Sequence, residues 1–340
     1  MKKGLTFIII TLMAALLLSA CGSKNNENAA PSSSSAPASP VESALAAAPS
    51  ESAASPSASV PAEVTITHPL GTATVKTNPA KVVVFDYGTL DTLDKLGIEV
   101  AALPKATLPS YLSKYNDAKY EDAGSLFEPD FEKLNKLKPD VIFIGARTAA
   151  AYEELNKIAP TIQMSLDYAQ YTASFEGNVG IIGSIFAKET EAAQGLQEIN
   201  AAIADLKGKA SGAGKALIVL TTGGKLSAFG PGSRFGIIHD GYGFVPADDK
   251  IEVSPHGQSI SNEFIAEKNP DILFVVDRDT VAGGQGSTPA KEIIENALVK
   301  NTNAYKNGKI VYLDANYWYL SGGGLQADIE MVKEAAQAVQ

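Results

Sequence analysis

Apolar residues follow two patterns after residue 62 of this 340-residue chain. Short continuous apolar runs alternate with segments in which apolar residues recur every three or four positions. The continuous runs predict strands buried on both faces of mainly parallel sheets, with helices between them. These runs are KVVVFD (81–86), VAAL, DVIFIGA and TIQMSL, followed later by KALIVL, DILFVVD and KIVYLD. Before them, VTITHPLGTATV alternates and predicts a hairpin. The pattern therefore predicts an α/β fold.

One helix–strand unit occurs twice. KPDVIFIGAR ends at Arg147 and NPDILFVVDR ends at Arg278, 131 residues later, and each follows a segment with helical spacing. Ligands of open parallel sheets bind beyond the carboxyl ends of the strands. If the two halves face each other, both arginines enter one cleft. The alternative is that each arginine merely ends its strand at the surface, but the duplicated placement favours a cleft.

A long amphipathic segment separates the two halves. Its apolar residues form one stripe with a polar back: Ala192, Leu196, Ile199, Ile203 and Leu206. We predict a helix over 188–212 that bridges two lobes, 63–187 and 213–340, each with a central mainly parallel sheet. A helix contained within one lobe is the alternative.

The N-terminus predicts export and anchoring. Residues 1–20 combine two lysines with an apolar run too short to span a membrane, as in a signal peptide. The run ends in Leu-Ser-Ala-Cys, which resembles a bacterial lipobox and predicts lipidation of Cys21, the only cysteine. An ordinary secretory signal is the alternative. Residues 21–62 carry this cysteine and a tether rich in Ser, Ala and Pro. The predicted location is the outer face of a Gram-positive cytoplasmic membrane.

The charge and the absent motifs narrow the class of protein. Loss of Lys2 and Lys3 with the signal peptide moves the formal charge from −10 to −12, which argues against a nucleic-acid partner. The sequence contains no G-x-S-x-G elbow, no H-E-x-x-H and no P-loop, and it has three histidines. These features favour a non-catalytic solute receptor. An extracellular enzyme and a structural surface lipoprotein are the alternatives.

Four further strings carry a family resemblance. They are SAFGPGSRFGIIHD with Arg234, HGQSIS with His256, NPDILFVVDR with Arg278, and YWYLSGGG with Tyr317 and Trp318. From about Val64 onward the chain resembles a class III periplasmic-type binding protein of an ABC iron–siderophore importer. It is most similar to the catecholate (petrobactin-type) siderophore-binding lipoproteins of Gram-positive bacteria. The resemblance implies two lobes spanned by a long helix, a ferric siderophore held between them, delivery to ABC permease subunits and a monomer without a cofactor of its own.

The resemblance also implies a set of binding residues. Arg147, Arg234 and Arg278 match three arginines that line the cleft in that group. His256 and Tyr317 match residues that complete the coordination of iron when a siderophore leaves two positions open. Guanidinium groups suit an anionic ferric catecholate because they stay charged and donate in a planar fork. With a hexadentate siderophore, His256 and Tyr317 are hydrogen-bonding or packing groups instead. Haem and ferric hydroxamates are the alternative ligands.

Other residues are weaker candidates. From the residues alone, His256 could simply close a turn and Tyr317 could belong to an aromatic core strip. Pro255 stands where that group leads us to expect threonine, so the shape of this loop is open. Further ligand-binding candidates are Trp318, Tyr87 and Lys105. Candidates for docking to the permease are Glu128, Asp130 and Glu263.

Overall fold

The computed structural model describes residues 61–283 and 287–340. The predicted signal peptide, Cys21 and the tether up to residue 60 lie outside the described residues. Among the helices of the described part, none is both long enough and apolar enough to cross a membrane.

The first lobe is built on a parallel sheet. A hairpin comes first, with strands β1 (Glu63–His68) and β2 (Gly71–Lys76). Five parallel strands then pair in the order β5-β4-β3-β6-β7. Their ranges are β3 (Val82–Phe85), β4 (Ala102–Leu103), β5 (Glu121–Asp122), β6 (Val141–Ile144) and β7 (Thr161–Gln163). The helices of this lobe are α1 (Tyr87–Lys95), α2 (Phe131–Leu137) and α3 (Tyr152–Asn156). Every residue of β3 and β6 is buried, as their continuous apolar runs predict.

Two helices that pack against each other in antiparallel orientation connect the lobes. Helix α4 (Tyr171–Phe186) ends at Ala187 in the left-handed conformation, and α5 (Glu189–Ala210) follows. At one end of α5, Ala192 packs on Gly183 of α4. At its other end, the side chain of Lys207 lies against Gly243 of the second lobe. The predicted apolar stripe faces the core, so the bridging helix expected from the spacing is present.

The second lobe has a mixed sheet of six strands. The order is β11-β9-β8-β12-β13, and β10 pairs with β8. The ranges are β8 (Lys215–Thr222), β9 (Lys225–Phe229), β10 (Val245–Pro246), β11 (Gln258–Ile260), β12 (Ile272–Asp277) and β13 (Ile310–Leu313). Strand β9 runs antiparallel to β8 because Gly223 and Gly224, both at positive φ, turn the chain back in two residues. Strand β11 also pairs antiparallel with β9. This part of the sheet is therefore less parallel than predicted.

Short helices cover the second lobe. They are α6 (Ile237–Asp240), α7 (Asn262–Lys268), α8 (Asp279–Ala282), α9 (Ala290–Ile294), α10 (Asn303–Lys306) and α11 (Leu325–Ala336). A π-helix over Asn316–Ser321 precedes α11. One hydrophobic cluster draws on both sheets and on α4, α5 and α11, and two smaller clusters fill the opposite face of each sheet. The shared cluster predicts limited movement of one lobe against the other.

The duplicated sequence unit is also a structural duplication. Helices α2 and α7 both end in a left-handed cap, at Lys138 (φ 54°) and Asn269 (φ 41°). After the following proline, Asp140 and Asp271 each accept a backbone amide at the start of the neighbouring central strand, at 2.8 and 2.9 Å. Each unit thereby fixes the register of its arginine-ended strand, β6 or β12, in its own lobe.

Candidate ligand-binding cleft

A cleft of about 430 Å³ opens between the lobes. Residues of the first lobe on its wall include Asp86, Arg147 and Tyr168, and the second lobe contributes Arg234 and His256. The π-helix supplies Trp318, Tyr319 and Leu320. The inner part of the cleft is apolar and is lined by Met164, Leu166, Val179, Ile182 and Met331. The cleft therefore combines cationic donors with an apolar recess.

Arg147 lies just beyond the carboxyl end of β6. It is the second residue of a 3₁₀ turn, Ala146–Ala151, whose N-cap is Gly145. Its Nη2 donates to the carbonyl oxygen of Tyr319 at 2.9 Å, and its guanidinium lies 5.5 Å from the centre of the Tyr319 ring. The position at the strand end thus directs this side chain across the cleft, as the sequence predicted.

Arg234 reaches the same oxygen from the opposite lobe. Its loop is braced by Ser233, whose Oγ donates to the carbonyl of Gly230, and by Gly232, whose amide donates to Asp240. Arg234 Nη2 donates to the carbonyl oxygen of Tyr319 at 2.6 Å, and its guanidinium lies 4.2 Å from the ring centre. Burial lowers the pKa of Arg234, because removal from water disfavours the charged form of the guanidinium. A neighbouring anion would stabilise that charged form.

Arg278 approaches from the end of β12. It lies at the N-cap of α8, and its Nε donates to the phenol oxygen of Tyr319 at 3.0 Å. Its guanidinium is 5.7 Å from the ring centre and its side chain is 32% exposed. The three arginines of the sequence prediction therefore all meet at Tyr319, although Arg278 touches the cleft through that ring rather than lining it.

Tyr319 is the site residue that sequence reasoning did not select. Burial raises the pKa of its phenol, but the hydrogen bond from Arg278 and the charges of Arg234, Arg278 and Arg147 outweigh burial, so the pKa lies below its ordinary value. A phenol with this environment loses its proton more easily than a free tyrosine. The motif YWYL offered two tyrosines, and the π-helical turn decides which of them faces the arginines.

Tyr317 and Trp318 take other positions. Tyr317 is half-buried away from the cleft, with its ring centre 4.8 Å from that of Tyr111. Trp318 is 3% exposed and forms part of the cleft wall. Its Nε1 donates to Glu334 at 2.9 Å, which fixes the indole. The structure therefore brings Trp318 to the cleft and leaves Tyr317 outside it.

His256 is exposed at the mouth of the cleft on a tight turn. The amide of Gly257 donates to the carbonyl of Ser254 at 3.2 Å, and Ser254 Oγ donates to the carbonyl of Gly257 at 2.9 Å. Pro255 occupies the second position of this turn, which its fixed φ suits. Gly257 has φ of +74° and lies against the ring of Phe229, so a side chain there would be both strained and obstructed. The turn holds the imidazole toward the cleft.

Two of the weaker candidates lie elsewhere. Tyr87 is fully buried and its hydroxyl donates to the carbonyl of Pro104 at 3.0 Å. The ammonium of Lys105 donates to the carbonyl of Asp117 at 2.9 Å. Neither side chain lines the cleft, because each is engaged by its own lobe.

The residues considered for docking are at the surface. Glu128 is exposed at the tip of a loop, Asp130 caps α2, and Glu263 is exposed in the first turn of α7. The duplicated unit adds a residue that sequence reasoning passed over. Glu132 lies in the first turn of α2, 131 positions before Glu263, and is also exposed.

Two buried carboxylates anchor the chain behind Tyr319. Asp91 accepts from the hydroxyl of Tyr111 at 2.6 Å and from the amides of Gln326 and Ala327 at the start of α11. Asp328 accepts from the amide of Gly323 at 2.8 Å and from the hydroxyl of Tyr171 at 2.9 Å. Burial raises the pKa of each to about 7. These bonds hold the segment 321–324, which joins the π-helix to α11.

The described residues contain no cluster of three or more His, Cys, Asp or Glu side chains that could hold a metal ion.

Two α/β lobes that enclose a cleft with converging cationic donors define a solute-binding protein of the transporter type. The chain belongs to the periplasmic binding protein family, whose model matches residues 82–317. This confirms the family resemblance of the sequence motifs.

Three individual relatives are named after the ligands that they bind. The petrobactin-binding protein YclQ of Bacillus subtilis is 45% identical over an alignment 344 positions long, which covers 99% of this chain and 99% of YclQ. The crystal structure of YclQ covers 82% of this chain and 99% of its own, with a TM-score of 0.79 at 50% identity. The crystal structure of the catecholate-siderophore binding protein VctP of Vibrio cholerae covers 81% of this chain and 99% of its own. Its TM-score is 0.77 at 41% identity. The ferric-anguibactin-binding protein FatB of Vibrio anguillarum is 36% identical over 268 residues, 77% of this chain and 83% of FatB.

Proposed function

We propose that this protein is an extracellular receptor that binds a ferric catecholate-type siderophore between its lobes and delivers it to an ABC permease. The observation that carries the proposal is the convergence of Arg147 and Arg234, from opposite lobes, on one oxygen atom. The names of YclQ, VctP and FatB support the ligand class. All three are binding proteins, which favours a receptor without catalysis.

The chemistry of the cleft fits an anionic oxygen ligand. The carbonyl oxygen of Tyr319 accepts from both arginines. A catecholate oxygen carries more negative charge than a carbonyl, and hydrogen bonds between charged partners are about twice as strong as neutral ones. The ligand therefore takes over these donors. A neutral ferric hydroxamate would leave the guanidinium groups without a charged partner, which favours the catecholate over that alternative.

The iron of a tetradentate chelate has two coordination positions to fill. His256 and Tyr319 both line the cleft, and the lowered pKa of Tyr319 favours the phenolate that ferric iron binds. We therefore propose His256 with Tyr319 as the protein ligands of the iron, in place of the pair His256 and Tyr317 that the sequence motif suggested. With a hexadentate siderophore, both side chains contact the ligand without touching iron.

Delivery requires a membrane anchor and a docking surface. We propose that acyl chains on Cys21 hold the receptor at the outer face of the cytoplasmic membrane. For docking we propose Glu132 and Glu263, which occupy equivalent exposed positions in the two copies of the helix–strand unit. A permease with two related halves would meet one carboxylate from each lobe.

Fluorescence titration tests the ligand class. Trp318 is the only tryptophan of the chain and forms part of the cleft wall, so a bound ferric chelate should quench it. We expect saturable quenching of the soluble body, residues 61–340, by a ferric bis-catecholate, with weaker or no response to a ferric hydroxamate and to haem. Absorption by the ligands is corrected with free tryptophan. Saturable quenching by haem or the hydroxamate alone would refute the catecholate assignment.

A further inference from the structure

Phe127 is an aromatic side chain without a place in the core. It is 68% exposed, more than any other large apolar side chain in the described part of the chain, and it belongs to none of the hydrophobic clusters found there. Its ring lies at the cleft. Because the ring is not packed in the core, it remains available for contact with a ligand in the cleft.

The loop that carries Phe127 is rigid even though the ring is not packed. Leu126 and Pro129, on either side of the tip, are buried. The amide of Ser125 donates to the carbonyl of Glu128 at 2.9 Å, and Ser125 Oγ accepts from the amide of Glu128 at 2.9 Å. These bonds fix the backbone at the tip. The ring therefore needs little further ordering when it meets a ligand.

The same loop is tied to the arginine of its lobe. The buried Thr148 donates from Oγ1 to the carbonyl of Leu126 at 2.7 Å. Thr148 follows Arg147 in the 3₁₀ turn after β6. A single hydrogen bond thus links the residue before Phe127 to the residue after Arg147, and it holds together the two backbone segments that carry the ring and the guanidinium.

We propose that Phe127 is a specificity-determining residue whose ring packs on an aryl ring of the ligand while Arg147 binds an oxygen of that same ligand. The proposal rests on the proposed function and adds to it a preference for aryl-bearing chelates. Tyr168, 37% exposed on the same lobe and also at the cleft, supplies a second aromatic surface at the rim. Stacked aromatic rings add to affinity beyond the area they bury, and a rigid ring loses little entropy on contact.

Substitutions at Phe127 test this role. The probe is the ferric complex of a synthetic tetradentate bis-catecholamide, titrated by Trp318 fluorescence and by calorimetry. We expect Phe127→Ala to weaken binding about three- to tenfold, Phe127→Leu to weaken it nearly as much, and Phe127→Tyr to retain it. Phe131→Ala is the matched control, since Phe131 is a partly exposed phenylalanine of α2 that does not line the cleft. Thermal melting should be unchanged in all four variants.

The outcomes separate this proposal from the one on which it rests. Binding by the wild type, with the expected loss in Phe127→Ala and Phe127→Leu only, supports the aryl contact. Wild-type affinity in Phe127→Ala, or in Phe127→Leu, would overturn it while leaving the receptor function intact. If the wild type itself fails to bind the ferric bis-catecholate, the proposed function fails, and the aryl contact falls with it.

Discussion

Arg147 and Arg234 lie on opposite lobes and donate to the same carbonyl oxygen, that of Tyr319, at 2.9 and 2.6 Å. Two half-buried guanidinium groups thereby share one neutral acceptor. Like charges held this close repel each other, and one carbonyl compensates them only in part. An anionic ligand between the lobes would relieve this repulsion, so the cleft is arranged for a negative charge.

Removing either arginine should therefore weaken ligand binding strongly. We expect Arg147→Ala and Arg234→Ala each to lower the affinity for a ferric bis-catecholate by about 10- to 100-fold, because each loses a charge-assisted hydrogen bond worth roughly 1.5–3 kcal/mol. Lys105→Ala is the matched loss of one positive charge outside the cleft and should change affinity little. Calorimetric titration measures all three. An effect of Lys105→Ala equal to that of the arginine variants would indicate a general charge effect.

The environment of Tyr319 predicts its titration. Because the arginines lower its pKa, one tyrosine of the ligand-free protein should ionise below the usual range of about pH 10 when followed by ultraviolet absorbance. This early step should vanish in Tyr319→Phe and persist in Tyr317→Phe. With the ferric bis-catecholate bound, Tyr319→Phe should also lose any phenolate-to-iron absorption in the visible range. If both signals are lost in Tyr317→Phe instead, Tyr317 is the tyrosine that ionises early and binds the iron.

Charge reversal tests the docking surface. We expect Glu132→Lys combined with Glu263→Lys to abolish uptake of the ferric siderophore by intact cells, because repulsion replaces attraction at both lobes. Ligand affinity should stay unchanged, since neither residue lines the cleft. Glu198→Lys, on the exposed side of α5, is the control. Normal uptake by the double variant would exclude this pair and direct the search to Glu128 and Asp130.

The buried Asp328 predicts how stability depends on pH. Burial raises its pKa to about 7, whereas an aspartate in an unfolded chain titrates near 3.9. Between these values the folded state binds the proton more tightly, so the free energy of unfolding falls as pH rises and levels off above about pH 7. Asp91, with its pKa also raised to about 7, acts in the same direction.

Asparagine at position 328 should flatten this dependence. Its carbonyl keeps the acceptor position that Oδ1 offers to Gly323 and Tyr171, but it does not titrate. Thermal melting at pH 5 to 8 should show the wild type losing on the order of 2 kcal/mol, or about 4–8 °C, for each of the two carboxyls, and Asp328→Asn losing about half as much as the wild type. An identical pH profile in the two proteins would show that Asp328 does not carry the effect.

Much of this architecture follows from the sequence by itself. Continuous apolar runs identify the buried parallel strands, and the stripe from Ala192 to Leu206 identifies the bridging helix, because burial requires those periodicities whatever the partner. The repeated Pro-Asp units place Arg147 and Arg278 at strand ends for the same local reason. The family resemblance of the motifs added Arg234 and His256, which line the cleft.

Only the tertiary structure decided how these parts meet. The chain turns back at Gly223 and Gly224 to make the second sheet mixed, and a π-helix turns Tyr319, rather than Tyr317, toward the arginines. Side-chain direction in a π-helix depends on where the chain is held at both ends, here by hydrogen bonds that tie Asn316 and the start of α11 to the first lobe. Those contacts join positions more than 200 residues apart, as between Ser110 and Asn316 or Asp91 and Gln326, and no local pattern encodes them.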